Sequence, residues 1–236
     1  MIVELIGCTG AGKSTLAERL CRGGIGATPV TRMHDLAVRG PLRDRISSPT
    51  VVNLVQEAAS LPFLAVAARR QAPFLAYAAR TLVRTAPSPL HRANRLRGVA
   101  RRVGMFELAS RTARGRIVLS DEGTALLAYM LVLDGHRPSD AEVGRLAELV
   151  PVPDLVVHVT APVDVLLRRS RERSDRDRQL GGKTEAGLEA LIERTVDVFE
   201  RLVAHPAIAA RTVTFSSRDS GADDAGVEKI KFRRFE

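Results

Sequence analysis

The sequence predicts an α/β protein, a three-layer sandwich in which helices cover both faces of a parallel sheet. Two observations predict this class. Short apolar segments typical of buried strands alternate with helical segments, and a glycine-rich loop joins the first strand to the first helix. Strands separated by helices favour parallel pairing through right-handed crossovers. A chain of 236 residues, 45% of them hydrophobic, can bury such a core as a single domain.

The glycine-rich loop is GCTGAGKST, residues 7 to 15. It fits the pattern G-x-x-x-x-G-K-[ST], in which glycines let the backbone turn its N–H groups toward a polyphosphate. Lys13 is expected to contact the β- and γ-phosphates, and the Ser14 hydroxyl to coordinate Mg²⁺. The apolar run Met1 to Ile6 precedes the loop as a strand, and a helix follows it. The predicted phosphate-binding residues are Gly7, Thr9, Gly10, Ala11, Gly12, Lys13, Ser14 and Thr15.

The later strands and helices are predicted from the same patterns. The strands are expected near residues 27–32, 116–120, 154–159 and 211–215. Between the second and third of these, residues 34–115 contain no convincing strand and are predicted to form an all-helical insertion. Its helices are expected at about 50–72, 73–85 and 89–113, with prolines at their boundaries. The core then comprises residues 1–33 and 116–236, with further helices near 124–133 and 139–149.

An acidic triplet, Asp121-Glu122-Gly123, closes the third predicted strand. Ligands bind at the carboxyl ends of strands in open parallel sheets, so this position favours a carboxylate beside the Mg²⁺ of a nucleotide. Asp121 is therefore a candidate metal ligand or acceptor-orienting group. His158 alternates with valines on the fourth predicted strand, which favours a buried core histidine over a catalytic one.

An arginine-rich segment, residues 163–183, follows the fourth predicted strand. On a helix Arg169 and Arg173 share a face at i and i+4, and Arg176 continues that face if the helix persists. Arginines that fold over a transferring phosphoryl group neutralise its charge and exclude water. The segment is predicted to be a lid, against the alternative of a solvated helix whose acids pair with the arginines.

The composition of the chain indicates its cellular compartment and the kinds of partner that it can bind. The net charge is +9, and residues 34–115 carry fourteen arginines but only four acids. Arginine forks suit phosphate and carboxylate, although a GC-rich genome gives the same excess. Two cysteines, no basic leader and an apolar stretch at 61–82 that arginines and prolines interrupt predict a cytoplasmic protein without a membrane span. No motif supports nucleic-acid binding.

The order of these motifs resembles the P-loop kinase superfamily and, within it, the thymidylate kinase and deoxynucleoside kinase group. The likeness rests on GCTGAGKST, on the strand-end acidic triplet and on LLRRSRERSDR, where Arg169 and Arg173 match the recurring arginine pair. It implies a P-loop NTPase fold with strand order 2-3-1-4-5, ATP and Mg²⁺ as cofactors, and a homodimer. The implied activity is phosphoryl transfer from ATP to a small-molecule acceptor, most simply a nucleoside or nucleoside monophosphate.

Two segments depart from the pattern of thymidylate kinases. Those enzymes carry Arg-Glu-Pro-Gly-Gly after the second strand, whereas Arg32 is followed here by Met33-His34-Asp35. They also carry Asp-Arg-Tyr in place of the acidic triplet. Together with the long insertion, these differences predict an acceptor that is different from, or larger than, thymidine monophosphate.

Several residues are candidates for holding and activating the acceptor. Arg32 and an insertion arginine such as Arg92 or Arg95 are expected to hold an acidic group. A hydroxyl acceptor needs a carboxylate within hydrogen-bond reach, and Asp35 and Glu122 are the candidate bases. Phe74 and Tyr77, at i and i+3, either stack a base or pack in the core. The expected catalytic set is Lys13, Asp35, Asp121, Glu122, Arg169 and Arg173.

Two other functions remain open at this point. A kinase of a sugar, an antibiotic or another secondary metabolite would use the same ATP site and differ in the helical insertion. A nucleic-acid-associated ATPase has only the +9 charge in its favour. A GTPase is disfavoured, because the sequence has no Asn-Lys-x-Asp segment to read guanine.

Overall fold

The computed structural model describes residues 1–25, 28–37, 49–85, 88–174 and 184–217. The strands in these ranges are β1 (Ile2–Ile6), β2 (Val30–Arg32), β3 (Ile117–Ser120), β4 (Leu155–Thr160) and β5 (Thr212–Ser216). They form one parallel sheet in the order β2-β3-β1-β4-β5. The predicted fold class and strand order are therefore confirmed.

Strand β1 is the centre of the sheet. Val3 pairs with Leu119 of β3 on one side and with Leu155 of β4 on the other. Every residue of β1 is buried, because helices cover both faces of a parallel sheet. The loop that follows β1 consequently begins at the middle of the carboxyl edge, where ligands of such sheets bind.

The helices complete the layers around the sheet. They are α1 (Lys13–Gly23), α2 (Pro49–Thr85), α3 (Pro89–Thr112), α4 (Asp140–Leu149), α5 (Val163–Ser174), α6 (Glu185–Ala204) and α7 (Pro206–Ala209). Segments of 3₁₀ helix lie at Met33–Leu36 and Ala125–Gly135. Two helix starts follow from local chemistry. The Ser88 hydroxyl accepts from His91 N–H at the start of α3, and Ser139 and Glu142 form a reciprocal capping box at α4.

The predicted break between helices at residues 72 and 73 is wrong, since α2 runs without interruption through Pro62 and Pro73. A proline inside a helix removes one N–H donor and leaves one carbonyl without its partner. Both prolines lie on the exposed side of α2, where water can satisfy those carbonyls. The helix predicted near 124–133 is present as the 3₁₀ segment Ala125–Gly135.

Helices α2 and α3 form an antiparallel pair beside the sheet. Phe74 and Leu82 of α2 are fully buried in the same apolar cluster as Val99 and Val103 of α3. The buried carboxylate of Glu107 joins the two helices. It receives Arg111 Nε at 2.8 Å and forms an ion pair with Arg70 of α2.

Gly104 is the point of closest approach between α2 and α3. A Cβ there would lie 2.4 Å from the Ser60 carbonyl oxygen. Gly104→Ala is therefore expected to destabilise the protein by about 1–3 kcal/mol, since the backbones would have to separate. Urea unfolding followed by circular dichroism measures this change. Gly98→Ala in the same helix is the matched control.

The control substitution faces only a flexible group, because a Cβ at Gly98 would lie 3.3 Å from Arg102 Nη1. Replacing glycine by alanine in a helix interior then stabilises by up to about 1 kcal/mol. Equal changes in the unfolding free energies of the two variants would contradict the close approach at Gly104.

The segment Val51–Thr85 of α2 is long and apolar enough to cross a membrane, judged by length and composition alone. Only 11% of its most apolar stretch is buried. The sequence predicted that the arginines and prolines of this region exclude a membrane span, and by this criterion they do not. A single helix of this kind is weak evidence for a membrane location, because core helices of water-soluble proteins pass the same test.

Candidate functional site

The loop after β1 has the backbone geometry of an anion cradle. Gly7, Gly10 and Gly12 have φ values of +134°, +83° and +93°, which favour glycine over residues that carry a Cβ. A Cβ at Gly7 would lie 2.2 Å from the Val159 carbonyl oxygen at the end of β4. The glycines are thus required by close packing of the loop as well as by its turns.

The first turn of α1 is available to a ligand. Gly12 is the N-cap of α1, and no side chain caps the N–H groups that follow. These N–H groups carry the positive end of the helix dipole, so they suit a phosphate. Ser14 and Thr15 are exposed in this turn, with hydroxyls that can coordinate a metal or bind a phosphate oxygen.

Lys13 lies over the loop and closes it. Its Nζ donates to the carbonyl oxygens of Gly7, at 2.7 Å, and Cys8, at 2.8 Å. The ammonium group is therefore held where the loop curves around a ligand. Burial raises the pKa of the neighbouring Cys8 to about 11, so this thiol stays protonated near neutral pH. The cradle, the uncapped helix start and the ammonium together fit a polyphosphate.

Arg169 of α5 contacts the phosphate loop from the opposite side. Its Nη1 donates to the Gly10 carbonyl oxygen at 3.1 Å and to Ser217 Oγ at 3.4 Å. The structure thus brings Arg169 to the loop. The backbone of Arg173 belongs to the same helix, but its side chain lies outside the described residues, as do Arg176 and the rest of the predicted lid after Ser174.

A pocket of about 310 Å³ lies at the carboxyl ends of β2 and β3, and we call it the β3 pocket. The loop after β1 and the triplet after β3 lie at the same edge of the sheet, because these parallel strands are neighbours. The lining residues come from β3, the segment after β2, and helices α2 and α3. They are Met33, His34, Val52, Asn53, Gln56, Arg101, Arg102, Met105, Ser120, Asp121 and Glu122.

Charges of both signs line the β3 pocket. Arg102 donates through Nε to the Glu122 carbonyl oxygen at 3.1 Å, and its Nη2 lies 3.4 Å from Glu122 Oε2. Arg101 Nη2 lies 3.8 Å from the same carboxylate oxygen. The Glu122 side chain is 66% exposed and can move aside, which would leave the mostly buried Arg101 and Arg102 to a ligand anion. Asp121 lies beside them in the lining of the same pocket.

The predicted insertion arginines lie elsewhere. Arg92 donates from Nη2 to the Val83 carbonyl oxygen at the far end of α2, and Arg95 is one turn further along α3. The arginines of the β3 pocket are Arg101 and Arg102 instead. Which arginines of α3 reach the pocket depends on which part of the helix lies beside the end of β3. The spacing of residues within the helix does not reveal this.

Phe74 and Tyr77 do not face the β3 pocket. Phe74 is fully buried in the core, which rules out stacking on a ligand. The Tyr77 hydroxyl donates to the Glu142 carbonyl oxygen at 2.7 Å, and the ring lines a different cavity. Phe74 therefore packs in the core, which was the alternative considered from the sequence. Tyr77 lines a cavity that the sequence did not suggest.

Two candidates from the segment after β2 lie beside the β3 pocket but outside its lining. Arg32 ends β2, next to the lining residue Met33. Asp35 lies within the 3₁₀ turn, where Oδ1 is 3.2 Å from Nε2 of His34. Of the two proposed bases, Glu122 alone lines this pocket in the described part of the chain.

Glu4 is a buried carboxyl that the sequence analysis missed. Its Oε1 accepts the Leu126 N–H at 2.8 Å, and the Thr124 hydroxyl lies 3.5 Å from Oε2. A Cβ at Gly123 would lie 2.3 Å from Glu4 Cδ, so the acidic triplet folds directly over this carboxyl. Glu4 therefore supports the segment that carries Asp121 and Glu122. The sequence feature that could have indicated Glu4 is its position as a single acid within the otherwise apolar run of β1.

Burial shifts the titration of two groups in the sheet in opposite directions. Desolvation raises the pKa of Glu4 to about 7, although hydrogen bonds from backbone N–H groups and the charge of Arg102 oppose the rise. Desolvation, followed by the charge of Lys13, lowers the pKa of His158 to about 4. His158 is thus the buried, neutral core histidine that its position among valines predicted.

Glu4→Gln is expected to become more stable relative to the parent protein as pH rises from 4.5 to 7. In this window the folded parent holds a proton on Glu4 that the unfolded chain releases, so its stability falls with rising pH. At about 1.4 kcal/mol per pKa unit, the relative gain is about 3 kcal/mol. Urea unfolding at several pH values measures it.

His158 acts with the opposite sign between pH 4 and 6.5, since the folded state binds fewer protons there. The parent and Glu4→Gln both retain His158, so the comparison between them cancels its contribution. Glu18→Gln replaces an exposed carboxyl of α1 and serves as the control. A pH-independent difference between Glu4→Gln and the parent would contradict the raised pKa.

Comparison with known proteins finds a local sequence match and similarity to solved structures. No protein-family model matches the chain. A thymidylate kinase of Akkermansia muciniphila is 42% identical over 85 residues, which are 35% of this chain and 38% of that enzyme. The chain thus spans well under half the length of this relative. Deoxyadenosine kinase from M. mycoides, solved with bound dCTP, matches 99% of this chain and 98% of its own, at 11% identity and a TM-score of 0.41.

Proposed function

We propose that this chain is an ATP-dependent kinase that phosphorylates a small molecule, most simply a nucleoside or nucleoside monophosphate. The observation that carries the proposal is the phosphate loop, closed by Lys13 and contacted by Arg169, at the same sheet edge as the β3 pocket. The local identity to a thymidylate kinase supports the same activity. The two free thiols suit a reducing cytoplasm, and exposed apolar side chains on α2 suit a homodimer.

On the donor side, the loop residues bind the phosphates of ATP and Arg169 shields them from water. The backbone N–H groups around Gly10 and Gly12 and the start of α1 hold the polyphosphate of ATP, and Lys13 leaves its loop carbonyls to contact the β- and γ-phosphates. Ser14 and Asp121 would hold Mg²⁺, which neutralises phosphate charge when bound. Arg169 neutralises charge on the transferring group and limits access of water.

On the acceptor side, the β3 pocket binds and orients the acceptor molecule. The acceptor oxygen forms a bond to the γ-phosphorus as the bond from phosphorus to the ADP oxygen breaks. Where the acceptor is a hydroxyl, its proton passes to a carboxylate, for which Glu122 and Asp121 are the lining groups. Arg101 and Arg102 would hold an anionic group of the acceptor once it displaces Glu122.

The experiment that tests this function is ATP consumption with Mg²⁺ by the purified protein, with product masses as the readout. Nucleosides, nucleoside monophosphates, sugars and single-stranded DNA are the trial acceptors or activators. One added phosphoryl group on a nucleoside or monophosphate is the expected result. Transfer to a sugar alone would move the protein to the kinases of other hydroxyls. Hydrolysis stimulated by DNA, with no phosphorylated product, would overturn the kinase assignment.

A further inference from the structure

A second cavity, of about 660 Å³, lies near the end of α2, and we call it the α2–α4 cavity. The end of α2, the end of the 3₁₀ segment and helix α4 line it. Asn53 of the β3 pocket and Tyr77 of this cavity belong to the same helix and are about 36 Å apart along its axis, at 1.5 Å per residue. The α2–α4 cavity is therefore separate from the proposed catalytic site, and its volume suits a small molecule.

Three arginines converge on the α2–α4 cavity. Arg80 and Arg84 are one helical turn apart on α2, and Arg145 comes from α4. Arginines at i and i+4 repel each other unless a negative group lies between them. Within the described residues, neither Arg80 nor Arg84 forms an ion pair, and Arg145 is paired at 2.9 Å with Glu148, which lies outside the lining.

The one acid among the described lining residues is already engaged. Glu142 Oε2 accepts the Ser139 N–H at 2.9 Å and lies 3.1 Å from the Ser139 hydroxyl, which caps α4. Its Oε1 lies 3.3 Å from His136 Nε2. The lining therefore presents a net positive charge whose only carboxylate is committed to the helix start. Such a surface suits an anion better than a cation or a neutral ligand.

The rest of the lining adds hydroxyl groups and one aromatic ring. Thr81 and Thr85 lie on the same face of α2 as the arginines, and the Tyr77 hydroxyl ties α2 to the Glu142 carbonyl at 2.7 Å. Hydroxyl groups beside arginine forks are typical partners of phosphate oxygens. A ring at the wall provides an apolar contact for the remainder of a ligand.

We propose that the α2–α4 cavity binds a phosphorylated small molecule, with the phosphate on Arg80, Arg84 and Arg145. The cavity is larger than a single phosphate, so the ligand carries an organic part or a second phosphate. This inference does not depend on the kinase assignment, because it concerns binding at a separate place.

The composition of the chain provides a local probe for this binding. The protein has no tryptophan and two tyrosines, and one of these, Tyr77, lines the cavity. In a Tyr129→Phe background, tyrosine fluorescence reports on Tyr77 alone. Pyrophosphate, inorganic phosphate and succinate do not absorb at the excitation wavelength, so each can be titrated directly. We expect a saturable change with pyrophosphate that is stronger than with succinate.

Substitutions in the same background identify the site. Arg80→Ala combined with Arg84→Ala is expected to weaken pyrophosphate binding at least about tenfold, the loss typical of a hydrogen bond to a charged group. Arg22→Ala combined with Arg114→Ala removes the same charge from exposed positions outside the cavity and is expected to leave binding unchanged. Lys13→Ala disables the phosphate loop and should preserve the Tyr77 signal.

Three results would overturn the proposal: no saturable change, a change that survives loss of both cavity arginines, or a change that disappears in Lys13→Ala. The last would mean that the signal originates at the phosphate loop. Tighter binding of succinate than of pyrophosphate would assign the cavity to carboxylates instead. Circular dichroism of each variant verifies folding, which the exposed positions of Arg80 and Arg84 should preserve.

Discussion

Lys13→Ala is expected to lower phosphoryl transfer by at least about a hundredfold, the effect typical of removing one charge-stabilising donor from a reacting centre. The ammonium group is held on the loop by the carbonyl oxygens of Gly7 and Cys8. Its removal also takes away the positive charge that would contact the β- and γ-phosphates, so nucleotide binding should weaken as well. Turnover and nucleotide affinity, measured together, separate the two effects.

Arg22→Ala is the control for Lys13→Ala. It removes one positive charge from the same helix, but its 82% exposed side chain lies beside Glu18 and away from the loop. Exposed pairs of this kind contribute little to stability, so both turnover and folding should be unaffected. Wild-type turnover in Lys13→Ala would remove the phosphate loop from the proposed mechanism.

Arg169→Ala is expected to lower kcat by about a hundredfold or more while changing nucleotide affinity much less. The guanidinium lies on the Gly10 carbonyl, where it can follow charge that develops during transfer. Without it, water has easier access to the donor, so the ratio of ATP hydrolysis to transfer should rise. Product quantification with and without acceptor measures that ratio.

Two further variants serve as controls for Arg169→Ala. Arg168→Ala alters the neighbouring, exposed arginine of α5 and should leave the ratio unchanged. Arg169→Lys keeps the charge but not the planar fork and should rescue transfer only in part. Unchanged turnover in Arg169→Ala would refute its role over the phosphates.

The phosphate loop and the strands could be predicted because their signals are local. The loop requires glycines and a lysine at fixed spacing, and the structure confirms the positive φ at Gly7, Gly10 and Gly12. Strand β1 was recognisable as an apolar run before that loop. Central parallel strands are buried on both faces, so they are continuous hydrophobic runs that can be recognised without knowing which strands lie beside them.

The acceptor side could not be predicted in the same detail, because it depends on tertiary packing. Pro73 suggested a helix boundary, yet it lies on the exposed side of one long helix. The choice of Arg101 and Arg102 over Arg92 depends on where α3 passes the end of β3. Glu4 is a single acid in a hydrophobic strand, and its role depends on Gly123, more than a hundred residues later.

The close contact between Gly7 and Val159 has a consequence for protein synthesis. The phosphate loop leaves the ribosome well before Val159 of β4, which forms its wall. Ser217, whose N–H donates to the Thr160 carbonyl oxygen at 2.7 Å, completes the wall beside Gly12. A nascent chain that ends before β4 therefore has a phosphate-loop sequence without a phosphate-loop structure. Under the proposed function, nucleotide can stabilise this protein only after β4 has been synthesised, when the helical pair α2 and α3 has had time to form from its local contacts.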